Sequence, residues 1–153
     1  MSRNSGKEDT LLDGSDLRIG IVAALYNKDK VDRLIELVVA ELKSLGVIEE
    51  HIRLERVPGS MEIPYATARL ARHSGCEAII GLGVVIAGAT SHHDVIGYST
   101  AISLQKISID FERPVINGIL VVDSEEQATE RLGAGINRGA EFAKAAVSLA
   151  NLG

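Results

Sequence analysis

Residues 77–86 read Glu-Ala-Ile-Ile-Gly-Leu-Gly-Val-Val-Ile, the most apolar segment of the chain. An apolar run rich in Val and Ile, without polar alternation, is the pattern of a strand covered on both faces, at the centre of a parallel sheet. Its glycines, Gly81 and Gly83, do not make a dinucleotide fingerprint, because no third glycine follows and no helix starts there. A nicotinamide cofactor is rejected on that ground. A polar turn, Ala87 to Ser91, leads out of the strand into a long helix from His92 to Phe111.

The same alternation continues outward in both directions. Leu17–Leu25 (LRIGIVAAL) reads as a second buried strand. From Asp29 to Leu45, the residues Val31, Leu34, Ile35, Val38, Val39, Leu42 and Leu45 fall at helical spacing, with Gly46 as the stop. Ile52–Val57 alternates as a strand does, and Ser60 to His73 reads as a helix with Ser60 as its N-cap and Gly75 after its end. Pro114–Val122 is a further strand. Ser124-Glu125-Glu126-Gln127 matches a capping box and opens a short helix to Arg131. Asn137 caps a final helix that carries Phe142, Ala143, Ala146, Val147 and Ala150 on one side. Strands that alternate with helices, with no hairpin turns between them, predict an α/β fold: a three-layer sandwich on a four-stranded parallel sheet.

Composition narrows the function. Sixteen Lys and Arg against twenty-one Asp and Glu leave a net charge of −5, which offers no grip on nucleic acid or an anionic membrane. The longest apolar stretch, Ala78 to Ala89, is too short to span a bilayer. Met1 to Asp16 is polar around one Leu pair, carries no secretion signal, and reads as a flexible N-terminal arm before a single domain over 17–153. The lone cysteine, Cys76, excludes an intrachain disulfide and a cysteine-built zinc site, and fits a cytoplasmic, reducing compartment.

In an open parallel sheet, ligands bind beyond the carboxyl ends of the strands, so the residues that follow each strand are the candidates. After the first strand comes Tyr26, which can stack a planar ring or merely cover an apolar edge. After the second come Ser60, Met61 and Glu62. Glu62 is favoured by the helix dipole there whether or not it also accepts from a polyol. After the third, Gly88, Ala89, Thr90 and Ser91 build a helix entry whose free N–H groups suit an anion, with His92 and His93 beside it. A capped helix with two exposed histidines is the equal alternative. A metal held by the pair is the weaker one, since adjacent residues point to different sides of a helix. Arg131 either serves a helix C-terminus or grips a phosphate, and spacing leaves both open.

Together these segments resemble the lumazine synthase family from about Leu17 onward. The resemblance runs through Tyr26-Asn27 (usually Phe-Asn in the family), Val57-Pro58-Gly59-Ser60-Met61-Glu62-Ile63-Pro64 and Gly83-Val84-Val85-Ile86-Ala87-Gly88-Ala89-Thr90-Ser91-His92. It continues through Gly118-Ile119-Leu120, Glu126-Gln127-Ala128-Thr129-Glu130-Arg131 and Asn137-Arg138-Gly139. It implies a flavodoxin-like fold and the condensation of 5-amino-6-(D-ribitylamino)uracil with 3,4-dihydroxy-2-butanone 4-phosphate, with no metal or organic cofactor. It further implies that Tyr26 stacks on the pyrimidine and that Ser60, Met61 and Glu62 hold the ribityl chain. Val84, Val85 and Ile86 would read the uracil edge, Ala89, Thr90 and Arg131 would bind phosphate, and His92 would shuttle protons. The family completes its pocket across a subunit boundary, here with Arg131 or Asn117, and its members form pentamers, some of which build larger icosahedral shells.

The chain departs from that pattern at several positions. Asn117 and Met61 replace common aromatics, His93 stands where Phe or Tyr is frequent, and Arg138 replaces Lys at a substrate-binding position. His93 is expected to be silent. Two other readings remain open from sequence: an archaeal-type riboflavin synthase, which would turn over lumazine alone, and a degenerate, non-catalytic flavin-binding or shell-forming paralogue.

Overall fold

The computed structural model describes residues 12–152. Its order is β1 (Ile19–Ala24), α1 (Lys28–Ser44), a 3-10 turn (Glu49–His51), β2 (Ile52–Val57), a 3-10 turn (Ser60–Glu62), α2 (Ile63–His73) and β3 (Ala78–Ile86). There follow α3 (His92–Phe111), β4 (Val115–Val122), α4 (Glu125–Glu130) and α5 (Arg138–Ala150). All strand pairs are parallel and the sheet order is β2-β1-β3-β4. The chain moves from β1 outward to β2, then crosses back to β3 on the other side. The carboxyl ends of β1 and β3 therefore flank the crevice where the connections diverge.

The central strands are apolar on both faces because both faces are covered. Ile19, Ile21 and Ala23 of β1 join Ala78, Ile80, Leu82 and Val84 of β3 under α1 and α5. Val22, Ala24, Ile79 and Val85 face the opposite way, toward Ile63 and Leu70 of α2 and Leu104 of α3. The helical stripe read from the sequence lands as expected: Val31, Leu34, Val38 and Leu42 are fully buried. Gly139 lets α5 approach α1 closely, since a Cβ there would lie 2.6 Å from the Leu37 Cβ and 3.1 Å from the Val38 nitrogen.

Two of the expected side-chain caps, at Asn137 and Ser124, form, and the one expected at Ser60 does not. Asn137 Oδ1 accepts from the Ala140 N–H at 2.9 Å, and Ser124 Oγ accepts from the Gln127 N–H at 3.2 Å. The returning Gln127 side-chain Oε1 accepts from the Asp123 N–H at 2.7 Å, one residue ahead of the usual box. Ser60, expected as an N-cap, makes no side-chain cap; it opens a 3-10 turn instead, and α2 begins at Ile63 with Pro64 in its first turn. The reason lies across the sheet. Gly83 has no side chain, and the buried Ser60 hydroxyl fills the space that a Cβ there would take.

Most of the expected N-terminal arm, residues 1–11, lies outside the described residues. Of the remainder, Gly14 is buried, donates its N–H to the Leu45 carbonyl at 2.7 Å, and accepts from the Leu17 N–H at 3.1 Å.

Candidate active site

The segments that follow the strands are stitched together before any side chain reaches a ligand. The Leu25 and Tyr26 N–H groups donate to the Val57 and Pro58 carbonyls at 2.7 and 3.0 Å, which joins the ends of β1 and β2. Asn27 adopts the left-handed conformation that asparagine tolerates, with φ 56°. Its Nδ2 donates to the Val84 carbonyl at 2.6 Å, which joins the end of β1 to β3. Arg56 donates to the Ala24 carbonyl at 3.0 Å and to Asp32 at 2.8 Å. Hydrogen bonds from Lys28 and then Arg56 hold the Asp32 carboxyl below the usual carboxylate range.

This scaffold encloses a cavity of about 400 Å³ at the crevice between β1 and β3. Tyr26, Ser60, Met61, Glu62, Val84, Val85, Ile86, Thr90 and His92 all line it, so nine of the sequence candidates share one chamber. Val84 and Val85 are buried in its floor, whereas Tyr26 is 74% exposed and Met61 50% exposed at its mouth. Ser99 of α3 donates its hydroxyl to the Met61 sulfur at 3.4 Å and steadies that edge. The Glu62 carboxylate lies over Gly59 with no cation bound to it among the described residues, and so is open to hydroxyl donors.

The turn from Gly88 to Ser91 carries the anion-binding potential. Ser91 occupies the N-cap position of α3 without a side-chain cap, and Thr90 Oγ1 accepts from the His92 N–H at 3.4 Å, a long contact. The N-terminus of α3 therefore keeps donors available at the cavity wall. The His92 ring hydrogen-bonds to no described residue. The residues lining the cavity include no lysine or arginine.

Four expected site residues stand outside this chamber. Ala89 sits in the exposed turn but off the wall. Asn117 faces outward on the edge strand β4, its Oδ1 accepting from the Ile119 N–H at 3.1 Å. Arg131 follows α4 and donates from Nη1 to the Gln127 carbonyl at 3.0 Å. Arg138 lies over the Phe142 ring, 5.1 Å from its centroid. Conversely, Asn27, Gly59 and Ile96 line the cavity although the sequence gave them no role there, and Gly88 and His93, read as part of the anion turn and its neighbour, line it as well. Among the described residues, no three His, Cys, Asp or Glu side chains converge to hold a metal.

A cavity at the crossover point of an open parallel sheet, carrying a carboxylate, two imidazoles and an uncapped helix N-terminus, defines a flavodoxin-like α/β enzyme for a small polar substrate. The family model described as 6,7-dimethyl-8-ribityllumazine synthase matches residues 16–153, and the chain belongs to that family, transferases of riboflavin biosynthesis. Similar proteins carrying the name 6,7-dimethyl-8-ribityllumazine synthase include those of Polynucleobacter necessarius and Aquifex aeolicus. The first is 43% identical over 141 residues, 92% of this chain and 81% of its own. The second is 42% identical over 142 residues, 92% of each chain. That of Nitrosomonas europaea is 42% identical over 144 residues, 94% of this chain and 86% of its own.

Proposed function

We propose that the protein condenses 5-amino-6-(D-ribitylamino)uracil with 3,4-dihydroxy-2-butanone 4-phosphate to give 6,7-dimethyl-8-ribityllumazine, phosphate and water, without a metal or organic cofactor. The observation that carries this reading is the meeting of Tyr26, Ser60-Met61-Glu62, Val84-Val85-Ile86 and Thr90-His92 around one cavity. Each wall suits one part of the reactants. Tyr26 at the mouth covers the pyrimidine face, and the backbone of Val84 to Ile86 reads its edge. Glu62 accepts from ribityl hydroxyls. The Ala89 and Thr90 N–H groups receive the phosphate.

The chemistry is a sequence of proton movements that one imidazole can serve. The substrate's primary amine attacks the ketone, and water leaves as the imine forms. Loss of a proton from carbon then expels phosphate, and ring closure with loss of a second water gives the lumazine. His92 takes and returns these protons at its open ring nitrogens. Holding two reactants together is the other contribution, worth roughly 7–11 kcal/mol in well-oriented systems. The test is incubation with both substrates in EDTA while lumazine fluorescence is followed. Steady product formation is expected; activity abolished by the chelator and restored by zinc would refute the cofactor-free reading, and turnover of lumazine alone would refute the reaction.

Assembly belongs to the same reading: a homopentamer, alone or as the unit of a larger shell, with cavities completed between neighbours. Two observations support it. The cavity wall lacks a cation for the phosphate, while Arg131 and Asn117 stand elsewhere on the surface. The α3 helix exposes Val95, Tyr98, Ile102 and Ile109, each by more than half, on the side away from the sheet. One patch meeting a different patch on the next copy is a heterologous contact that closes by rotation. Sedimentation at micromolar concentration is expected to give a pentamer or a multiple of it, and an active monomer would refute the shared cavity. No helix among the described residues is long and apolar enough to cross a membrane. A cytoplasmic location completes the proposal, supported by the single cysteine, Cys76, buried and unpaired.

A further inference from the structure

We propose that His93 is the positioning residue of the phosphate turn: its imidazole holds the Thr90 carbonyl and thereby sets the shape in which residues 88–91 present their N–H groups. This rests on the assignment of that turn to the substrate phosphate. The turn is otherwise held mainly at its two ends. Gly88, Ala89, Thr90 and Ser91 are all exposed, and a side chain at Gly88 would meet nothing within 4 Å. Its entry is anchored by the Ala87 N–H, which donates to the Val122 carbonyl at 2.9 Å. Its exit has no side-chain cap and is held by the Ser91 carbonyl, which accepts from the Asp94 and Val95 N–H groups at 3.0 and 3.4 Å.

Between those points, His93 Nδ1 lies 3.2 Å from the Thr90 oxygen. The ring is confined by its surroundings: its side chain is only 18% exposed and lines the cavity, and Nε2, 3.4 Å from Asp94 Oδ1, pairs with that carboxylate only in the imidazolium form. A carbonyl only accepts, so the contact requires a proton on Nδ1. The peptide that follows Thr90 is planar, so pinning its oxygen fixes the Ser91 N–H in the same unit, and restrains the rotation about the Thr90 Cα that relates this unit to the preceding one, which carries the Thr90 N–H. An imidazole engaged in this way does not serve as the proton carrier, which separates the work of the two histidines. Phenylalanine would fill the space without holding the carbonyl. Asparagine carries a donor near the place of Nδ1.

The test measures inorganic phosphate as an inhibitor competing with butanone phosphate, together with KM for each substrate and kcat, in the full-length protein. His93→Phe is expected to raise the phosphate inhibition constant and the butanone-phosphate KM about three- to tenfold, the range of one lost hydrogen bond. The ribitylaminouracil KM and kcat should move much less, and His93→Asn should recover most of the loss. A parental inhibition constant in His93→Phe, or His93→Asn as impaired as His93→Phe, overturns the proposal. Thr90→Pro, which removes an N–H assigned to the phosphate, tests the underlying assignment. A raised constant there with an unaffected His93→Phe sinks only the role of His93, whereas an unchanged constant in Thr90→Pro sinks the phosphate turn and the inference with it.

Discussion

Replacing His92 with alanine is expected to lower kcat on the order of 10²-fold while leaving ribitylaminouracil affinity nearly parental. His92 opens α3 at the cavity wall, and its ring is committed to no described neighbour, so both nitrogens are available to reactants. In the proposed binding mode the uracil is held elsewhere, by Tyr26 and by the backbone at the end of β3, and the ribityl chain by the turn at Ser60 to Glu62, all of which line the same cavity. Removing the imidazole therefore slows imine formation, phosphate expulsion and dehydration without dismantling the binding surface. The expected loss sits at the low end for acid–base catalysis because the mouth is open to water and buffer, which can carry protons in its place. Imidazole added to the buffer should recover part of the rate. A parallel fall in uracil affinity would make His92 a binding group instead.

The sequence made the frame legible where burial leaves few alternatives. The run at 77–86 reads best as a strand covered on both sides, which it is over Ala78–Ile86, and the helix over His92–Phe111 starts and stops where its residues said it would. Legibility fails where a residue's role depends on something distant in the chain. Ser60 has the composition of an N-cap, yet its hydroxyl is drawn inward by the missing side chain of Gly83, a partner 23 residues away. Asn27 links β1 to Val84, a contact that exists only once β1 and β3 lie side by side. The histidines were separated by a rule for helix sides, under which adjacent residues diverge. At a helix end facing a concave wall, both can still line the same chamber, and they do. His93 becomes informative only when the Thr90 carbonyl is seen beside it.

Arg131→Met is expected to weaken phosphate and butanone-phosphate binding far more than uracil binding. Losing a charge-assisted contact from a partly buried site costs about 1.5–3 kcal/mol, or roughly ten- to 150-fold in the phosphate inhibition constant. Within its own chain the arginine has little to do. Nη1 donates to the Gln127 carbonyl, Glu130 lies 3.9 Å away, and the side chain remains 32% exposed. Most of the guanidinium fork is free, yet it is absent from the wall of its own cavity. An unchanged inhibition constant would return it to the role of a helix-end cation. If it instead serves the next subunit's cavity, the lesion should be separable from His92 by mixing. Rings reassembled from equal amounts of His92→Ala and Arg131→Met chains would contain about a quarter of their sites with both groups intact, if subunits mix at random around a heterologous ring. Activity well above that of either parent is then expected after co-refolding. If Arg131 acted within its own chain, every site would carry one lesion and mixing would restore nothing.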